Sequence, residues 1–253
     1  MIAIVPGWLQ AGGWGLLAGA ALLVGAGIAY LVRLPQKAIA SVMAFGAGVL
    51  LSAVSFDLIA EAHDQAGLAP AAIGAATGAV IYTGCNMLLA RRGARQRKRS
   101  GDQQPSEQDQ QGSGTALALG ALLDGIPESV VIGASLLGGG AVSLVTVVAV
   151  FISNIPEGLS SAAGMRNAGR SSRYVFGLWG GIALISGLAA VAGYTVLGAA
   201  PAALLAGITA LAGGAILAMI ADTMIPEAFD QAHLLIGLIT VAGFLTAFAL
   251  SQA

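Results

Sequence analysis

The apolar residues of this chain fall into eight long runs divided by short polar, Gly or Pro breaks. They cover residues 10–32, 38–62, 69–90, 115–138, 142–165, 173–198, 202–225 and 232–252. Each run is close to the ~20 residues a helix needs to cross the hydrocarbon of a bilayer. The pattern predicts an all-α membrane protein of eight transmembrane helices, with residues 1–253 forming one transmembrane domain. One break is long, 91–114, reading RRGARQRKRSGDQQPSEQDQQGSG. Its basic run and its Gln, Ser, Gly and acidic residues offer too little apolar surface to fold alone, which predicts a flexible loop.

Composition strengthens this reading, since 57% hydrophobic and 9% charged residues do not describe a water-exposed surface. Thirty-seven glycines suit membrane helices, which pack through small residues, and Gly177, Gly181 and Gly187 mark such a packing face. The lone Cys85 has no partner for an internal disulfide and reads as a small packing residue. The opening MIAIVPGWLQAGGWG lacks the basic region of a signal peptide, so the first run is expected to be retained.

Charge gives an orientation. Arg33 and Lys37 follow run one, Arg91, Arg92, Arg95, Arg97, Lys98 and Arg99 follow run three, and Arg166, Arg170 and Arg173 follow run five. These are all eleven basic residues, and eight alternating spans put every one on the same face. Lys and Arg collect on the cytoplasmic side, so loop 91–114 is expected in the cytoplasm and both termini outside a plasma (inner) membrane. The basic run is short and juxtamembrane, which argues against a nucleic-acid partner and leaves the lipid bilayer as its neighbour.

Two internal echoes follow the same geometry. Residues 60–66, AEAHDQA, end run two and residues 226–232, PEAFDQA, end run seven, matching at five of seven positions. Runs two and seven point in opposite directions, the mark of an inverted repeat. Ile126-Pro127-Glu128-Ser129 and Ile155-Pro156-Glu157-Gly158 repeat in runs four and five, again in opposite directions. The predicted architecture is a 3+2+3 inverted-repeat bundle with spans four and five as a central, antiparallel, neighbouring pair.

Chemistry concentrates in that pair. Glu128 and Glu157 lie near the middle of their spans, where a charge costs at least ~2.5 kcal/mol unless a cavity, a cation or a proton satisfies it. A divalent cation shared by the two carboxylates explains both. Asp124 stands four residues before Glu128, and Ser153 and Asn154 stand four and three before Glu157, so each set shares a helix face. Pro127 and Pro156 free the carbonyls of Leu123 and Ile152 toward a polar cavity. The predicted metal ligands are Asp124, Glu128, Ser153, Asn154 and Glu157. Asp57, Glu61 and Asp64, with His63 beside them, form an expected entrance, and Asp222, Glu227, Asp230 and His233 an expected exit.

These motifs, Asp124-Gly125-Ile126-Pro127-Glu128-Ser129 and Ser153-Asn154-Ile155-Pro156-Glu157-Gly158, resemble those of the ZIP (Zrt-, Irt-like protein) family of divalent metal transporters. The resemblance covers the whole chain and is to a divergent, prokaryotic-type member. It implies transport of zinc, manganese or iron toward the cytoplasm, zinc being the family default, with the metal as substrate and no resident cofactor. The chain departs from the family where His-Asn is usual and Asp124-Gly125 stands, and where Ser153 replaces a stronger ligand. Residues 173–198 lack the acid that binuclear members carry, and Leu50 stands near the position of a ligating methionine. One principal site with an all-oxygen shell is therefore expected, which suits manganese as well as zinc. Whether the chain forms a homodimer is open.

Two other functions fit the same residues: a proton-coupled transporter of another solute, and an intramembrane hydrolase whose paired acids share a proton. No Ser/His/Asp arrangement, HExxH, CxxC or phosphate loop accompanies the acids, so an enzyme is not expected.

Overall fold

A computed structural model describes residues 5–106, 108–138, 142–231 and 235–252. All regular structure among the described residues is helical. The main helices are α1 (Gly7–Leu31), α2 (Gln36–Ala66), α3 (Leu68–Ala90), α4 (Ser113–Ser135), α5 (Leu144–Asn167), α6 (Ser172–Leu197), α7 (Ala202–Asp230) and α8 (Ile236–Ser251). Seven are long and apolar enough to cross a membrane, whereas α8 has 16 residues within the described region.

Local chemistry sets the helix ends. Pro35 and Pro201 precede α2 and α7 with φ already near the helical value. The hydroxyls of Ser143 and Ser171 accept the Thr146 and Tyr174 N–H groups and cap α5 and α6. Gly67, at φ +83°, separates α2 from α3 in a conformation that side-chain-bearing residues resist. Both α2 and α7 loosen into π-helical turns, Val54–Ala60 and Ile220–Met224, each carrying an acid, Asp57 or Asp222.

The bundle is apolar outside, and its largely apolar core encloses a set of polar and charged side chains. Leu68, Ile73 and Val80 on α3, Leu184, Leu188 and Val196 on α6, and Leu238 and Leu245 on α8 are exposed, while Asp124, Glu128, Ser153, Asn154, Glu157 and Ser160 are buried. That inversion of the soluble pattern fits lipid as the surrounding solvent.

Helix α1 packs on α5 and α6, α2 on α8 and α5, and α4 on α6 and α7, while α3 packs on α7. Four of these contacts close through reciprocal glycines. A Cβ on Gly25 of α1 would lie 2.1 Å from the Ile155 carbonyl, and one on Gly158 of α5 2.2 Å from that of Leu22. The same exchange joins Gly133 and Gly193 between α4 and α6, Gly48 and Gly243 between α2 and α8, and Gly78 and Gly214 between α3 and α7. Of the packing face predicted on α6, one glycine of three meets a neighbour within the chain. Gly177 and Gly181 face open space, and of the three only Gly187 approaches a neighbour, the Gly12 carbonyl at 3.1 Å. Helices α4 and α5 are antiparallel, but each packs chiefly on other helices and touches its sequence neighbour little.

Where the sequence predicts a flexible loop over 91–114, the structure carries the middle of that segment into the bundle. Ala94, Arg97, Lys98 and Ser100 are buried. Two glycines make room: a Cβ on Gly120 of α4 would lie 2.6 Å from Arg97 Cδ, and one on Gly164 of α5 2.0 Å from the Arg99 carbonyl. Lack of apolar surface does not keep this segment out, because ion pairs rather than apolar contacts hold it.

Candidate cation site

The site grows from one face of α4, one of α5 and the inserted loop. Asp124 on α4 is held at both oxygens. Arg97 Nη2 donates to Oδ1 and Arg97 Nε to Oδ2, each at 2.8 Å, in the parallel fork that suits guanidinium and carboxylate. The Tyr82 hydroxyl of α3 donates to Oδ1 at 2.7 Å and accepts from Arg97 Nη2 at 2.7 Å. Arg97 Nη1 donates to Asn86 Oδ1 at 2.8 Å.

Lys98 joins the two motif helices. Its Nζ lies 2.8 Å from Glu157 Oε2 and 3.4 Å from Asp124 Oδ2. The ammonium is 3% exposed and its two carboxylates are 2% and 6% exposed, so these charges interact with little water to screen them. Glu128, one turn from Asp124, is equally buried, and its Oε1 has no hydrogen-bond partner among the described residues. Three buried carboxylates thus share two cations, and the one left over is Glu128.

The other two predicted ligands are placed differently. Ser153 donates to the Val150 carbonyl at 3.0 Å, and Asn154 reaches α1, donating to the Ala18 carbonyl at 2.9 Å. Among the described residues no three His, Cys, Asp or Glu side chains gather closely enough to cage a metal ion. Asp124 and Glu157 are instead gathered around the loop's cations.

Cavities approach from both ends. One of about 290 Å³ is lined by Asp57, Glu61, Ser135 and Thr146 and reaches Val131, one turn beyond Glu128 on α4. The structure therefore brings the predicted entrance residues Asp57 and Glu61 to a vestibule, while His63 and Asp64 pair with each other in the open at 3.3 Å. A second cavity, of about 490 Å³, lies on the loop face between Arg95, Lys98, Arg99, Asp222 and Asp230. Of the predicted exit residues, Asp222 and Asp230 line it and Glu227 is buried, accepting the Ser100 N–H at 2.8 Å. Arg99 pairs with Asp230 and donates to the Pro226 carbonyl at 3.0 Å. His233 lies outside the described residues.

Sequence reasoning missed Tyr82, Asn86, Arg97, Lys98, Arg99, Ser100 and Ser160. The available signal was an imbalance: carboxylates buried in spans, and a dense run of cations on a loop long enough to reach them. Compared with protein-family models and with curated proteins, the chain matches none.

Proposed function

We propose that this chain carries divalent metal cations across a membrane through the carboxylates of α4 and α5. The observation that carries the proposal is the seat of Lys98: one positive atom bridges Glu157 and Asp124 from separate helices, with Glu128 unpartnered a turn away. A position that holds an ammonium between two carboxylates is a position for a cation, and oxygen donors suit hard and borderline dications. Open space on the two sides of this point fits a path that a cation follows from vestibule to loop face.

Symmetry supports a carrier. The same chain spacing separates Gly48 from Gly214, the start of the π-turn at Val54 from that at Ile220, and Glu61 from Glu227. The helix pairs follow the same exchange, α2 on α8 answering α7 on α3, and α1 on α5 answering α6 on α4. We read eight spans in a 3+2+3 inverted repeat, rocking about α4 and α5 to expose the site alternately. The motifs' resemblance to the ZIP family favours zinc, manganese or iron moved toward the cytoplasm of a plasma-membrane protein with both termini outside.

Purified protein in liposomes containing a metal-sensitive dye tests this. External Zn2+, Mn2+ or Fe2+ is expected to enter, and Glu128→Gln or Glu157→Gln to abolish entry in protein that still folds. Undiminished uptake by both variants sinks the proposal. Proton movement without metal, followed by varying pH in the same liposomes, points to a proton-coupled carrier of another solute.

A further inference from the structure

We infer that the segment Ala94–Ser100 is a tethered cationic plug, and that Lys98 competes with the transported dication for Glu157. The inference rests on the cation-transport reading and adds a regulator to the same site. Its basis is the depth and partnering of the loop. Arg97 and Lys98 are 2% and 3% exposed, buried as deeply as the carboxylates they meet. Each partner comes from distant sequence: Asp124 on α4, Glu157 on α5, Tyr82 on α3 and, for neighbouring Arg99 and Ser100, Asp230 and Glu227 on α7. The backbone is seated as well as the side chains. Gln104 donates to the Arg99 carbonyl at 2.9 Å and to that of Ser161 at 3.1 Å, and Ser160 donates to the Lys98 carbonyl.

The two cations have different chemistry. Arg97 is locked by a planar fork onto Asp124 and by Asn86 and Tyr82, an arrangement suited to staying. Lys98 is a point charge on a flexible stem, and the cavity of about 490 Å³ that it lines gives it somewhere to retreat, toward Asp222 and Asp230. A dication arriving past Val131 meets Glu128 first. Binding there together with Glu157 sets two positive charges against two carboxylates and repels the single charge of Lys98. Displacement of Lys98 opens the way to the loop face, so the plug holds that end shut until cargo arrives. A metal cage is then assembled by exchange, in keeping with carboxylates that are grouped around an ammonium.

The chain contains two lysines, which makes the test internal: Lys37 is exposed and Lys98 buried. Full-length protein in detergent is treated with an amine-acetylating reagent, and modification of each lysine is followed by mass spectrometry. Without metal, Lys98 is expected to react at least about tenfold more slowly than Lys37, because reaction must await local opening. Saturating Zn2+ or Mn2+ should bring the two rates together. Gly164→Leu, which displaces the loop backbone without altering a carboxylate, should do so without metal. Lys98→Gln should bind Mn2+ about tenfold more tightly in equilibrium dialysis, since it removes the competitor. Equal rates in metal-free wild type overturn the inference, as does protection indifferent to saturating dication or unchanged Mn2+ affinity in Lys98→Gln. In those cases liposome uptake still judges the transport reading separately: uptake with Lys98 protected throughout retains transport and removes the plug. If Gly164→Leu fails to fold, the Lys98→Gln binding measurement decides.

Discussion

Arg97 and Asp124 are both almost fully buried, and removing one partner strands the other's charge. Losing one member of such a pair costs about 3–5 kcal/mol, whereas replacing both by apolar residues is often near neutral. Arg97→Met alone is therefore expected to lower the thermal midpoint in detergent sharply, and Arg97→Met with Asp124→Leu to recover most of the loss. Losses in the double variant that equal the sum of the singles would show that the pair contributes no coupling. At this scale the carboxylates were legible, because a charge within an apolar run demands a partner. The partners were not, because Arg97 and Lys98 lie 27 and 59 residues from the acids they meet and sit in a segment that hydropathy assigns to water. Asn154 was legible as a polar residue on the right face, but its amide satisfies the Ala18 carbonyl of α1. Spacing along one helix gives no warning of an acceptor on another.

Between elements, the closest approaches are made by glycines whose missing Cβ admits a neighbouring carbonyl. A methyl on Gly214 would lie 1.9 Å from the Ala75 oxygen, so Gly214→Ala must push α7 from α3, at about 1–3 kcal/mol for overpacking. Gly27 of α1 has nothing within 4 Å of its would-be Cβ, and Gly27→Ala should be neutral or stabilising through helix propensity. Thermal unfolding of the two variants in one detergent compares them directly, and equal shifts would remove the reciprocal-glycine account. The runs read from hydropathy fall on the described helices because span length is fixed by the bilayer, which acts on every run alike. Which glycines pack was not legible, since Gly177 and Gly214 look the same in sequence and differ only in what stands opposite. Helix α7 outruns its apolar stretch, reaching Asp230, because Glu227 and Asp230 find Ser100 and Arg99 of the loop. Its π-turn does not require Pro226, since α2 makes the same turn with Ala60 in the corresponding place.

For the whole molecule, the vestibule and the loop lie at opposite ends of α4 and α5. Ser135 and Thr146 line the vestibule near the C-terminus of α4 and the N-terminus of α5, while Gly120 and Gly164 seat the loop at the other ends. The proposed eight spans, with every basic residue on one face, require a definite pattern of access. With Cys85 replaced by Ala, single cysteines at Glu61 and Ser135 should react in intact cells with a membrane-impermeant thiol reagent. Cysteines at Asp102 and Asp230 should react only after the cells are opened. Both sets reacting from one side would break the alternation on which the orientation and the inverted repeat depend. Reaction of the loop pair alone in intact cells would keep the alternation but reverse the orientation, putting the basic face outside. The same cysteines then report on transport: if cargo displaces the plug, added Mn2+ should speed labelling at position 230, which lines the loop-face cavity with Lys98 and Arg99, and leave position 102 unchanged. A change at Asp230 that persists in Glu157→Gln would mean that the loop responds to the ion at its surface rather than from within the bundle.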